Sequence, residues 1–200
     1  MFNQEPDGAT PLSPDDLLGL RYKHIDTRAQ LNNLEAANII QGQLWARNLK
    51  NQTLDTILDR DFVVNLHRAL FGEVWIWAGN FRQRELNVGV EPIKIPVVLH
   101  NFLADAKCWI EYKHFDNLEL SARIQHRMVQ IHPFVNGNGR HARIFTNIVR
   151  TTLLGEKPMK WANVKLDGMT KERALYISVL RKADGGDFSA FITYLKDLGN

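Results

Sequence analysis

Apolar residues return every three or four positions through most of this chain, so its main element is the amphipathic helix. Asp26-Thr27 is a capping pair, and Leu31, Leu34, Ile40 and Leu44 predict a helix running to about Arg47 with those four side chains inward. Phe62, Val63, Leu66 and Leu70 predict a second between Asp61 and Phe71, ended by Gly72, and Val98, Phe102, Leu103, Ala106 and Trp109 a third from Val97 to Tyr112. Leu120, Ile124, Met128 and Ile131 form a fourth stripe, with Arg123, His126, Arg127 and Gln130 on its polar side. That helix stops near His132, because the residue before a proline is pushed out of helical dihedrals. Ile144, Phe145, Ile148 and Val149 begin a new stripe, which starts a helix at Asn138 or Gly139. Thr170 caps a helix with Leu175, Val179 and Leu180, and Phe188 to Leu195 supplies the last. Ahead of all these, Ser13-Pro14-Asp15-Asp16 gives a cap, a proline at the first helical position and two early acids, so a short helix should run to Leu20.

One segment breaks the helical rhythm. Leu86, Val88, Val90, Ile93 and Ile95 alternate around Gly89 and Pro92, which predicts a β-hairpin over Arg84 to Ile95. The fold class is therefore mainly α, a helical bundle with one hairpin. Trp75, Trp77 and Phe81 read as core packing. Turn residues mark 1–12 as an N-terminal arm, followed by helices at 13–50 packed on a single globular unit at 51–200. Two hundred residues at 44% hydrophobic suffice for one well-buried core and no second. After Gly155, Lys157-Pro158 interrupts the chain, and Trp161 to Val164 makes a connection.

Charge and cysteine content narrow the function. The net charge of +3 is mild, and no basic cluster with interleaved aromatics occurs, so nucleic acid is not an expected partner. Cys108 is the only cysteine, which excludes an internal disulfide and a multi-cysteine metal site. Beside Trp109 and Ile110 it is expected to be a buried thiol. The polar start lacks a secretory signal and no apolar run is long enough for a membrane span, so a cytoplasmic protein is expected.

The chemistry concentrates in Ile131-His132-Pro133-Phe134-Val135-Asn136-Gly137-Asn138-Gly139-Arg140-His141-Ala142-Arg143. Gly137 and Gly139 allow a tight bend into the next helix, whose first amides have no partners within it. Those amides and the positive end of the helix dipole make an anion site. Arg140 and Arg143, three apart, share a face of its first turn. An imidazole titrates close enough to neutrality to accept a proton, so His132 beside a polyphosphate cradle points to attack on phosphorus by a hydroxyl that it deprotonates. Three ligands from His126, His132 and His141 would not share one face, which disfavours a metal site there.

His132-Pro133-Phe134, Gly137-Asn138-Gly139-Arg140 and Arg143 together resemble the signature of Fic-domain proteins. The resemblance extends through Tyr176, Leu180, Ala183-Asp184 and Gly186-Asp187, the closing segment of such domains. The opening Gly8-Ala9-Thr10-Pro11-Leu12, with Thr27-Arg28, Leu31-Asn32 and Glu35-Ala36-Ala37-Asn38-Ile39, resembles the subgroup called mobile mystery protein B, which implies a mobile-element setting. What the Fic resemblance implies is a protein adenylyltransferase that transfers AMP from ATP to a Ser, Thr or Tyr hydroxyl of a target protein. His132 would be the general base, Pro133 and Phe134 the anchor of the motif in the core, and Gly137, Asn138, Gly139 and Arg140 the phosphate holders. Arg143 would pair with the terminal phosphate. The predicted hairpin would be a flap whose edge at Leu86, Asn87, Val88, Gly89 and Val90 docks an extended segment of the target by strand addition.

Two positions depart from or extend that pattern. The family usually has Asp or Glu where Asn136 stands, to bind a Mg2+ that bridges the phosphates; asparagine offers a carbonyl oxygen without charge. Glu35 is the candidate for an inhibitory glutamate that pairs with Arg143, although Leu31 and Ala36 replace the residues expected around it. A separate inhibitor protein is the other form such control would take. Two further readings stay open: a nucleotide-binding module with little or no activity, and transfer of another nucleotide or phosphate-linked group.

Overall fold

Most helices of this protein start where a short polar side chain closes the first turn. The structure, a computed structural model, describes residues 12–161 and 171–199. Ser13 and Asp16 exchange bonds across the start of α1 (Pro14–Leu17), and Thr27 and Gln30 do the same for α2 (Arg28–Asn48). Thr53 caps the single turn α3 (Leu54–Ile57), and Asp59 caps α4 (Arg60–Phe71), which ends at Gly72. A 3-10 turn at Pro92–Lys94 leads into α5 (Ile95–Glu111). Asp116 caps α6 (Asn117–Ile131) through the amides of Leu118 and Glu119. Helix α5 has no side-chain cap, and neither has α7 (Asn138–Ile148), which continues as a π-helical turn at Val149–Leu153. The chain closes with α8 (Lys171–Asp184) and α9 (Ser189–Gly199). Most of the expected arm, the Thr170 cap and the connection beyond Trp161 lie outside the described residues.

Helix α4 is the hub. Its apolar face buries Phe62, Val63, Leu66, Leu70 and Phe71, with α2 along one side and α5 and α7 on others. Each such side chain contributes about 1.5–3 kcal/mol on removal from water. A smaller cluster of Tyr176, Val179, Phe191 and Leu195 with Ala122 and Met159 docks α8 and α9 onto α6.

Helix α2 keeps the first half of its expected inward stripe, with Leu31 buried and Leu34 packed against the core, but not the second half. Ile40 and Leu44 are 57% and 44% exposed, whereas Leu31, Asn32, Glu35, Asn38 and Gly42 are buried. The reason is close approach: a Cβ on Gly42 would stand 2.7 Å from the Ala69 carbonyl oxygen. Asn38 then bridges α4's last turn, donating to the Ala69 carbonyl and accepting from the Glu73 amide, both at 3.0 Å.

The expected hairpin is also corrected. Residues 84–91 form no ladder, and the β-type pairings among the described residues are two isolated bridges, Leu20 with Trp75 and Phe81 with Phe134. The segment's main chain is engaged elsewhere. The Val90 amide donates to the Ile131 carbonyl, and the Arg84 and Val90 carbonyls accept from the Arg82 guanidinium. Gly89 has φ +111°, outside strand dihedrals, and Pro92 has no amide hydrogen to give. Cys108 is exposed rather than buried, because α5 turns Leu99, Phe102, Leu103 and Ala106 inward. Leu175 on α8 is likewise exposed. Among the described residues no helix is long and apolar enough to cross a membrane.

Candidate active site

Helix α6 ends as Pro133 requires, and the residue that takes the turn is His132, at φ 52° and ψ 60° in the left-handed region. A non-glycine residue there costs about 1–2 kcal/mol, so its surroundings must hold it. The His132 amide still bonds Met128, its carbonyl accepts from Arg82 Nε at 2.7 Å, and the Arg82 amide reaches the Pro133 carbonyl at 3.0 Å. The ring's Nδ1 donates to the Val129 carbonyl at 3.2 Å, which leaves Nε2 as the basic nitrogen. Burial lowers its pKa to about 4, with the Val129 bond opposing and Arg82 adding to the shift. His132 is thus neutral at physiological pH, with its lone pair on a defined atom. It is only 6% exposed, since the loop at 84–91 lies against it. A Cβ on Gly89 would meet His132 Cβ at 2.8 Å.

The elbow that follows is braced from beneath. Phe134 is fully buried, and its main chain is clamped by Asn138: the Phe134 amide donates to Oδ1 at 2.9 Å, and Nδ2 donates to the Phe134 carbonyl at 2.8 Å. The Phe134 ring stacks on His67, centroids 3.7 Å apart. His67 is itself fixed, because the Gly79 amide donates to Nδ1 at 2.9 Å, so Nε2 carries the proton and donates to the Asn136 carbonyl at 3.0 Å. Burial, with neighbouring His141 second, holds its pKa well below the usual range, so the bridge stays neutral. Gly137, at φ +77°, passes over Phe71 where a Cβ would clash at 2.7 Å, whereas a Cβ on Gly139 would meet nothing within 4 Å. Gly137 serves the fold. Gly139 faces open space in the uncapped first turn of α7, as an anion cradle requires.

The two arginines of that turn diverge. Arg140 lies over the Phe71 ring and donates to Glu35 Oε2 at 2.6 Å, while Glu35 Oε1 accepts from Trp75 Nε1 at 2.7 Å. Glu35, expected to partner Arg143, is thus bound to Arg140 instead, because α2 passes the Arg140 side of α7. Arg143 lies over the Tyr176 ring of α8, 5.6 Å from its centre. Tyr176 is tied through Gln125 to Thr146, at 2.6 and 2.9 Å.

Asn136 does not fit the role of a magnesium ligand. Its Oδ1 accepts from the Gly137 amide at 2.7 Å and from Arg140 Nη2 at 3.4 Å, so its lone pairs face a helix terminus and a cation. Among the described residues no three His, Cys, Asp or Glu side chains converge on a metal position. The structure therefore brings together His132, Pro133, Phe134, Gly137, Asn138, Gly139, Arg140 and the loop carrying Leu86 to Val90, with Arg143 on the α8 side. It adds Arg82, His67, Trp75 and Tyr176. Sequence patterns pass over these because a wholly buried arginine or histidine is rare and has no periodic mark; the closely spaced aromatics Trp75, Trp77 and Phe81 were the nearest signal.

A histidine at one helix end, a glycine elbow and an arginine-bearing helix start thus lie next to one another. The Fic/DOC family model matches residues 57–149, so this part of the chain is a Fic domain. Curated relatives include the protein adenylyltransferase Fic of Drosophila virilis, 30% identical over 139 residues that make up 68% of this chain and 27% of that protein. Its Drosophila melanogaster counterpart is 28% identical over 86% of this chain and 35% of its own length. The chain thus spans about a third of these relatives. Among solved structures, BepC of Bartonella tribocorum, crystallised with AMPPNP, superposes with a TM-score of 0.69 at 16% identity, covering 98% of this chain and 95% of that one. Caenorhabditis elegans Fic-1 gives 0.63 at 23%, covering 91% and 52%. These two share the fold.

Proposed function

We propose that this chain is a protein adenylyltransferase, using ATP to place AMP on a Ser, Thr or Tyr hydroxyl of a target protein held along residues 86–90. The acceptor oxygen attacks the α-phosphorus, His132 Nε2 takes its proton, and pyrophosphate leaves from the opposite side. The α7 N-terminus, Arg140 and Arg143 stabilise the phosphate charge from fixed positions, which is where most catalytic stabilisation arises. The observation that carries this reading is His132: neutral, with Nδ1 tied to Val129 and Nε2 basic, held in a costly backbone conformation at the head of the anion site. Mass spectrometry of a lysate incubated with ATP and the purified protein tests it. AMP adducts present with the wild type and absent with His132→Ala support it, and equal adducts with both overturn it.

Glu35 acts in this reading as a resident competitor. Its carboxylate occupies Arg140 as a phosphate would, so nucleotide must displace it. A second reading, a nucleotide-binding module of low activity, draws on Asn136, whose amide lacks the charge of the carboxylate usual there. It predicts that Asn136→Asp creates labelling that the native chain lacks.

A further inference from the structure

Arg82 is 1% exposed, and its guanidinium is spent on main-chain carbonyls, with the Glu85 carboxylate favouring its charge against the cost of burial. Nε donates to His132, Nη1 to Arg84 at 3.0 Å, and Nη2 to Val90. Arg84 and Val90 bracket the 84–90 loop, and His132 carries the ring proposed as base. A planar fork of fixed donors can hold three such groups in one register, which a lysine ammonium on a flexible stem cannot. Burying a full positive charge costs several kcal/mol before compensation, so packing alone is a poor account of an arginine here. Gly89 completes the arrangement. A Cβ there would lie 2.5 Å from Arg82 Nη2 and 2.8 Å from His132 Cβ, so the loop rests directly on guanidinium and histidine. The outer end is anchored too, since Arg84 pairs with buried Asp16 of α1.

We propose that Arg82 is a positioning residue that locks the acceptor-holding loop and the His132 backbone into one rigid unit, so that an acceptor hydroxyl bound on the loop meets the basic nitrogen in register. This rests on the transfer reaction proposed above. Arg82 touches neither nucleotide nor acceptor; the phosphate cradle on α7 is braced separately by Asn138 and His67. Loss of the fork should therefore impair transfer and spare nucleotide binding.

The test compares Arg82→Lys, Arg82→Met, Gly89→Ala and His132→Ala with the wild type in three measurements: AMPPNP affinity by titration, protein labelling from α-labelled ATP, and NMR signals of the histidine rings. The lysine variant keeps charge and length if methionine does not fold, and Gly89→Ala disturbs the same contact without touching the arginine. The expected result for each Arg82 variant is AMPPNP affinity within about threefold of wild type, labelling down by at least about thirtyfold, shifted His132 signals, and unmoved His67 and His141 signals. Gly89→Ala should fall in the same direction. Labelling by Arg82→Lys within threefold of wild type, while His132→Ala labels nothing, would overturn the inference and leave the transfer reaction standing. Movement of all three histidines with loss of AMPPNP affinity would make Arg82 a general structural residue and also overturn it. Undiminished labelling by His132→Ala would sink the transfer reading instead, and the NMR arm would still decide whether Arg82 sets the histidine.

Discussion

Replacing Asn138 by alanine should destabilise the protein by about 3 kcal/mol. Its side chain is 3% exposed, and both its groups serve the main chain of Phe134, which is fully buried. Alanine leaves one amide hydrogen and one carbonyl without partners where water has little access. Each such group costs about 1–3 kcal/mol, or roughly 2–6 for the pair. Alanine's better helix propensity returns about half a kcal/mol. For a chain of this size, about 3 kcal/mol lowers Tm by roughly 6–12 °C. Asn138→Asp keeps an acceptor for the Phe134 amide and loses the donor to its carbonyl, so it should fall between alanine and wild type. Urea denaturation of the three proteins measures this. A loss under about 1 kcal/mol for Asn138→Ala would refute the claim that this clamp holds the elbow, and would return Asn138 to the role of direct phosphate ligand.

Other outcomes follow from the same geometry. Gly137→Ala should cost at least about 1–2 kcal/mol from its left-handed backbone alone, with the Phe71 clash in addition. Gly139→Ala, in open space, should leave stability unchanged or raise it by up to about 1 kcal/mol while weakening AMPPNP binding; unchanged affinity would remove Gly139 from the cradle. Glu35→Gln should free Arg140 and strengthen AMPPNP binding at least about threefold, whereas weaker binding would show that Glu35 only supports the fold. Stability should fall on acidification from about pH 6.5 toward 4, because His132 and His141 are held near 4 by burial. In that window the unfolded chain takes protons that the folded chain refuses, at a cost on the order of 3 kcal/mol per ring once protonation is complete. Equal urea midpoints at pH 7.5 and 5.5 would contradict it.

The motif was readable from sequence because each part has a local cause. Pro133 ends α6, the glycines bend the elbow, and the stripe from Ile144 restarts the helix, so the place and order of His132, Arg140 and Arg143 follow from neighbours in the chain. What escaped depends on partners far away. Glu35 contacts Arg140 across 105 positions, and no periodicity within α2 reveals which arginine it meets. The second half of the same helix misled about its buried face, since Gly42 and Asn38 dock more closely on α4 than Ile40 and Leu44 could. Alternation over 84–95 is a fair strand signal, yet Arg82 and Ile131 claim the main-chain groups a hairpin would pair. Arg82 and His67 act through backbone atoms, which leave no trace in a pattern of side chains.

Parallel incubations with ATP labelled at the α- or the γ-phosphorus put the central claim to the most direct measurement. The account predicts that α-label becomes fixed to hydroxyls of acceptor proteins, that γ-label does not, and that His132→Ala abolishes the signal. Transfer of γ-label, or α-label fixed equally by His132→Ala, would contradict it.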